Sequence, residues 1–231
     1  MAKKVKKATT TQAEANVGEI FSKSEKFIET YKNYIMIGLG VIILLVVAIL
    51  GIRQYYLLPK EAQAQEAIFP GENFLSSQQW SVALNGDSAN YIGFLGVIDE
   101  FPHTRTATLA KLYAGICFYH LGQYQEALDF LKKYSSNEKI VDPATTGLIG
   151  DCYVNLNNVE EGIKYFKEAA SKAENKYISP IYLKKAGLAY ESLSDFKNAV
   201  DVYNTLKSKY PNSQEAVDID RFIYRASAQI K

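Results

Sequence analysis

Two cysteines and two histidines are all that 231 residues offer for thiol or imidazole chemistry. Cys117 and Cys152 cannot build a disulfide framework, and with His103 and His120 they fall short of the usual structural zinc site. Charge of one sign is also missing, since 26 basic side chains stand against 25 acidic ones. That balance excludes a basic nucleic-acid binder. No Gly-rich phosphate loop follows a strand, no nucleophile motif occurs, and no carboxylate pair sits in a site-like context. No catalytic residue, metal, cofactor or small-molecule substrate is therefore expected. What the chain does have is 48% hydrophobic and 13% aromatic residues, enough to bury a core and to exclude disorder over most of its length.

Part of that apolar content is concentrated in one run. Between Asn33 and Arg53 lie nineteen residues without a charge, Tyr34 to Ile52. At about 1.5 Å per helical residue this matches a hydrocarbon core of roughly 30 Å. Tyr31 and Tyr34 on one side, and Tyr55 and Tyr56 on the other, fall where interfacial aromatic belts form. A cleaved signal peptide calls for a shorter stretch with small residues close behind it. Here the Ala62-Gln63-Ala64 triplet lies well beyond Arg53, so a retained anchor is expected. No cysteine precedes Cys117, which leaves nothing near the N-terminus to lipidate.

The charges flanking the run give an orientation. Residues 1–33 hold seven lysines and four glutamates, a net of +3, while Arg53 and Lys60 are the cations just beyond the run. The positive-inside rule puts residues 1–33 in the cytoplasm and residues 53–231 across the membrane. The far side then carries 19 of the 26 basic and 21 of the 25 acidic residues, a net of −2. Within the tail, Lys3 to Lys7 and Thr9 to Thr11 read as solvated. From Val17, the residues Ile20, Phe21, Phe27, Ile28 and Tyr31 recur at helical spacing, with Ser24 as an N-cap. This pattern suits a helix lying on the anionic leaflet or touching a membrane partner.

Beyond the anchor the sequence repeats itself every 35 to 37 residues. Leu121-Gly122-Gln123-Tyr124 aligns with Leu156-Asn157-Asn158-Val159 and with Leu193-Ser194-Asp195-Phe196. Upstream of each stands a small residue followed by an aromatic: Gly115 and Phe118, Gly150 and Tyr153, Gly187 and Tyr190. Glycine in a helix costs roughly 1 kcal/mol against alanine unless a close approach needs it. The pattern resembles the tetratricopeptide repeat, with copies starting near Thr108, Pro143 and Pro180 and a terminal proline at Pro211. Phe74 to Pro102 reads as a degenerate copy: Asn90 to Pro102 keeps the apolar spacing, while Trp80 and Leu84 do not match. Residues 213–230 read as one amphipathic capping helix with Ala216, Ile219, Phe222, Ile223 and Ala226 on one face. Cys117 and Cys152 occupy equivalent places in consecutive repeats, too far apart for a disulfide, and read as buried small hydrophobes. Cys117 and His120 could share a metal, but no third ligand is in sight.

The expected fold is all-α, a single N-terminal transmembrane helix followed by a tetratricopeptide α-solenoid. Its parts are a cytoplasmic tail over 1–33, the span over 34–52, a linker helix and degenerate repeat over 53–106, three repeats over 107–211, and a cap over 212–231. The resemblance implies a concave groove lined by the first helix of each repeat. From the first repeat come Leu109, Leu112, Ile116, Tyr119 and His120. The second gives Ala144, Gly147, Asp151, Val154 and Asn155, and the third Ile181, Lys184, Leu188, Glu191 and Ser192. The apolar first set implies either a hydrophobic ligand segment or occlusion by the degenerate copy. The lysine–asparagine clamp that some relatives use on a chaperone's C-terminal carboxylate is missing, with only Asn155 matching.

The whole architecture, together with Gly86-Asp87 and Leu112-Tyr113-Ala114-Gly115, resembles the YfgM-like family, ancillary subunits of the bacterial SecYEG translocon. That resemblance implies a single-pass inner-membrane protein beside the translocon. Its partners would be a membrane-anchored periplasmic chaperone and emerging polypeptides, with neither nucleic acid nor a small-molecule substrate. Two other readings stay open: a scaffold for envelope division or outer-membrane assembly, and an organellar import receptor with its repeats in the cytosol.

Overall fold

A computed structural model describes residues 30–87, 90–135 and 138–230. The expected tail helix from Val17 with its Ser24 cap, and the solvated lysine and threonine runs, lie almost entirely outside these residues. The chain divides into two units between Leu58 and Pro59.

In the first unit, residues 30–52 form helix α1, followed by a π-helical segment at Arg53–Leu57. Side chains from Ile35 to Ile52 are exposed all round, and none of the apolar stretch is buried. A helix that is apolar on every face and buried nowhere among the described residues is unstable in water, and its length and composition suffice to cross a membrane. A Cβ on Gly38, Gly40 or Gly51 would meet nothing within 4 Å beyond the helix itself among the described residues.

The second unit is built of helices α2 (Leu58–Ser76), α3 (Trp80–Asn85), α4 (Gly93–Glu100), α5 (Arg105–His120), α6 (Tyr124–Leu131), α7 (Val141–Asn155), α8 (Val159–Ala173), α9 (Ser179–Ser192), α10 (Phe196–Lys209) and α11 (Ile219–Ser227). Among the described residues there is no strand. The pairs α5/α6, α7/α8 and α9/α10 are the three repeats. Each pair turns at a residue in the left-handed region: Gly122 at φ 76°, Asn157 at 60° and Ser194 at 60°. The amide of Gly122 donates to the Tyr119 carbonyl and that of Gln123 to Phe118. Asn157 and Asn158 do the same to Val154 and Tyr153, and Ser194 and Asp195 to Glu191 and Tyr190. This double closure satisfies carbonyls that a helix end leaves open and reverses the chain in few residues.

Packing explains the small residues. A Cβ on Gly115 would stand 2.6 Å from the Leu131 side chain, one on Gly150 would stand 2.8 Å from the Phe166 ring, and one on Gly187 would collide with Tyr203. Each glycine thus lets the second helix of its own pair lay a large side chain on the backbone of the first. Ala127, Ala199, Leu131, Phe166 and Tyr203 are buried accordingly.

A fourth pair with the same geometry precedes them, in a register that differs from the expected one. The amide of Gln78 (φ 58°) donates to the Leu75 carbonyl and that of Gln79 to Phe74, the same closure as in the three repeats. Gly71 and Phe74 are therefore the counterparts of Gly115 and Phe118, and Trp80, Ala83 and Leu84 those of Tyr124, Ala127 and Leu128. The copy begins inside α2, not at Phe74, and its first half does match. What hides it is an insertion that breaks the second helix into α3 and α4. The Asp87 carboxylate accepts the amides of Asn90 and Tyr91 at 2.8 and 2.9 Å, and Gly86 and Gly93 take φ of 93° and 78° at the two ends of the excursion. Tyr91 then returns to the core, donates its hydroxyl to the Ala83 carbonyl at 2.8 Å, and packs with Phe94 over Gly71.

The cap also departs from a single helix. A 3₁₀ turn at Gln214–Ala216 precedes α11, and Ile219, Phe222 and Ala226 pack with Ala199, Tyr203 and Leu206 of α10. That buries the apolar edge the last repeat would otherwise leave open.

Candidate protein-binding face

The residues expected to line the groove differ sharply in how free they are. In the first repeat Leu112 is 5% exposed, and Leu109, Ile116 and Tyr119 are half-buried against the main core. His120 is exposed, but its ring lies flat on Trp80 of the upstream pair, 4.1 Å between centroids with planes 6° apart. Trp80 thus covers one face of the His120 ring.

The second repeat offers even less side chain. Tyr182 of α9 packs so closely on Gly147 that a Cβ there would overlap its ring, and the Tyr182 hydroxyl donates to the Ala144 carbonyl at 3.3 Å. These are sites where one repeat meets the next. Asp151 is paired with Lys185, whose Nζ donates to both carboxylate oxygens at 2.8 and 2.6 Å. Burial pushes the Asp151 carboxyl above its ordinary value, and Lys185 offsets part of that rise. Val154 is half-buried, and the Asn155 side chain donates to the Asp151 carbonyl at 2.8 Å.

In the third repeat the charged residues face the cap. Lys184 donates to Asp218 at 2.7 Å and lies over the Phe222 ring at 4.6 Å. Glu191 accepts two bonds from the Arg225 guanidinium, at 2.8 and 3.0 Å, and one from the Tyr203 hydroxyl at 2.7 Å. Its apolar residues remain accessible, Ile181 at 39% and Leu188 at 42%. Both line a cleft of about 630 Å³ whose other wall is Gln214, Glu215, Val217 and Asp218. Sequence reasoning did not place that wall in the site because it falls after the last repeat, where only a cap was expected.

The thiols are elsewhere. Cys117 and Cys152 are free, fully buried and pushed up to about 12 by that burial, whereas His120 is exposed. Cys117 and His120 therefore share no open face.

Comparisons with known proteins agree with this geometry. Residues 109–137 and 183–213 match one family model described as tetratricopeptide repeat, and residues 147–175 match a second of the same description. The TPR repeat-containing protein MJ1428 of Methanocaldococcus jannaschii is 29% identical over 100 residues, 43% of this chain and 17% of that protein. The chain thus spans less than a fifth of the length of that relative. Among solved structures, a Podosopora anserina kinesin light chain with nearly identical TPR-like repeats superposes with a TM-score of 0.56 at 12% identity, over 73% of this chain and 87% of that one. The MamA protein superposes at 0.51 with 16% identity, over 74% and 87%. Such similarity shows the fold. Repeats of this kind form scaffolds that bind other proteins and are typically non-enzymatic. Residues 109–137, 147–175 and 183–213 of this chain match the tetratricopeptide repeat, and repeats of that kind imply a protein–protein interaction module.

Proposed function

We propose that the chain is a single-pass inner-membrane protein, its N-terminus cytoplasmic, whose repeats work across the membrane as an ancillary subunit beside a SecYEG-type translocon. The observation that carries this reading is the pairing of an apolar helix exposed on every face with a repeat unit that presents an open apolar cleft. The seven lysines of residues 1–33 support the orientation. In this role the repeats would contact a membrane-anchored periplasmic chaperone and emerging polypeptides, both of which expose the apolar segments that Ile181 and Leu188 would cover.

A photoreactive amino acid at Leu188, activated in intact cells, tests the reading. Adducts with translocon subunits and secretory precursors are expected. Adducts confined to division or outer-membrane assembly proteins would replace it with an envelope scaffold.

A further inference from the structure

The cleft between the third repeat and the cap is lined by two cations and two anions, Lys184, Lys185, Glu215 and Asp218. Of the charged side chains lining it, Lys184 is tied to Asp218 and Lys185 to Asp151. Glu215 has no hydrogen-bonding or ionic partner among the described residues. Beside it Val217 is 86% exposed, a value ordinary for a lysine and costly for a valine unless something covers it. Together with Ile181 and Leu188 it makes an apolar lining with one unpaired negative charge on the rim.

We infer that this cleft takes an apolar segment of a protein partner bearing a lysine or arginine beside its apolar side chains, and that residues 214–218 belong to the binding face as well as ending the solenoid. The inference rests on the reading of the repeats as an interaction module and names the chemistry of its partner. An acidic segment is disfavoured twice over. It would meet Glu215 as a like charge, and the charges of Lys184 and Lys185 are already offset by Asp218 and Asp151 at 2.7 and 2.6 Å. A cationic segment meets Glu215 without disturbing either pair.

The test uses the full chain in detergent micelles and two short synthetic peptides with the same leucines, one carrying lysines and the other glutamates at the intervening positions. Fluorescence anisotropy should show the lysine peptide binding about two- to five-fold tighter, as one exposed ion pair provides. Glu215→Lys should reverse the preference, and Val217→Ser should weaken both peptides about five- to ten-fold. Methyl resonances of Ile181, Leu188 and Val217 should move on binding. Both positions are surface residues of a 3₁₀ turn and its flank, and far-UV circular dichroism confirms that the variants fold. Equal binding of the two peptides, indifference to Glu215→Lys, or methyl shifts confined to another face would each overturn the inference. Peptide discrimination without secretory adducts in cells would keep the site and reject the translocon role, and secretory adducts without discrimination would do the reverse.

Discussion

Glu61 holds Thr106 twice, accepting its amide at 3.0 Å and its hydroxyl at 2.7 Å, and it also takes the Arg105 amide at 2.7 Å. The Thr104 hydroxyl accepts the Ala107 amide at 2.9 Å. Three amides that a helix start leaves unpaired are thereby satisfied at the head of α5, two of them by a residue 44 and 45 positions earlier in α2. A cap delivered from another helix also fixes how the first pair meets the first clear repeat.

Replacing that carboxylate should therefore destabilise the repeat unit in a pH-dependent way. Burial raises the Glu61 carboxyl, but the bonds from Thr106 and Arg105 outweigh it and leave the carboxyl below its ordinary value. A depressed value in the folded state means the contribution is complete above the ordinary carboxylate range and is lost as pH falls through the folded value. Glu61→Ala should cost about 0.5–2 kcal/mol at neutral pH in urea unfolding of the full chain. The gap to the parent should close in acid, and a gap that widened in acid would contradict this account.

The hidden fourth pair makes its own prediction. Gly71→Ala would place a Cβ 2.6 Å from Phe94 and closer still to the Tyr91 hydroxyl, in the same way that Gly187→Ala would meet Tyr203. Both should lose about 1–3 kcal/mol or more through overpacking. Gly122→Ala has open space around it and should lose only the smaller cost of its left-handed backbone, about 1–2 kcal/mol. Thermal unfolding of the three variants checks this, and a harmless Gly71→Ala would refute the assigned register.

The register shows where the sequence was legible and where it was not. In the three clear repeats the glycine and the side chain it receives are sixteen residues apart: Gly115 and Leu131, Gly150 and Phe166, Gly187 and Tyr203. Gly71 and Phe94 are twenty-three apart, because the seven residues 86–92 interrupt the second helix, so a fixed-period comparison loses the copy even though Gly71-x-x-Phe74 is intact. The apolar run, the repeats and the burial of both cysteines could be read from residue type and spacing alone. The open face could not. Lys184, Glu191 and Asp151 are tied to Asp218, Arg225 and Lys185, and such pairings depend on how helices cross after folding.

One of these pairings should be energetically asymmetric. Tyr203 is fully buried and its hydroxyl is directed at Glu191, which Arg225 also binds. Glu191→Leu alone should cost about 1–3 kcal/mol, because the hydroxyl and the guanidinium both lose their acceptor. Adding Tyr203→Phe should recover part of that loss, since removing both partners leaves nothing buried unpaired. A double-mutant cycle by urea unfolding measures the coupling, and strict additivity would show that the bond contributes nothing.

The thiols give a chemical check on the packing. With both pushed up to about 12, Cys117 and Cys152 should stay unalkylated by iodoacetamide at pH 8 in the folded chain and react at once in guanidinium. Mass spectrometry of the intact chain reads the result, and rapid labelling without denaturant would mean that the core between the first two repeats is open.

The central claim is that the repeats and the lysine-rich tail lie on opposite sides of one membrane. Proteolysis of sealed inside-out inner-membrane vesicles tests it most directly. The account predicts that protease removes residues of the tail while a fragment containing 53–231 survives until detergent is added. Digestion of the repeats in sealed vesicles, with the tail protected, would contradict it.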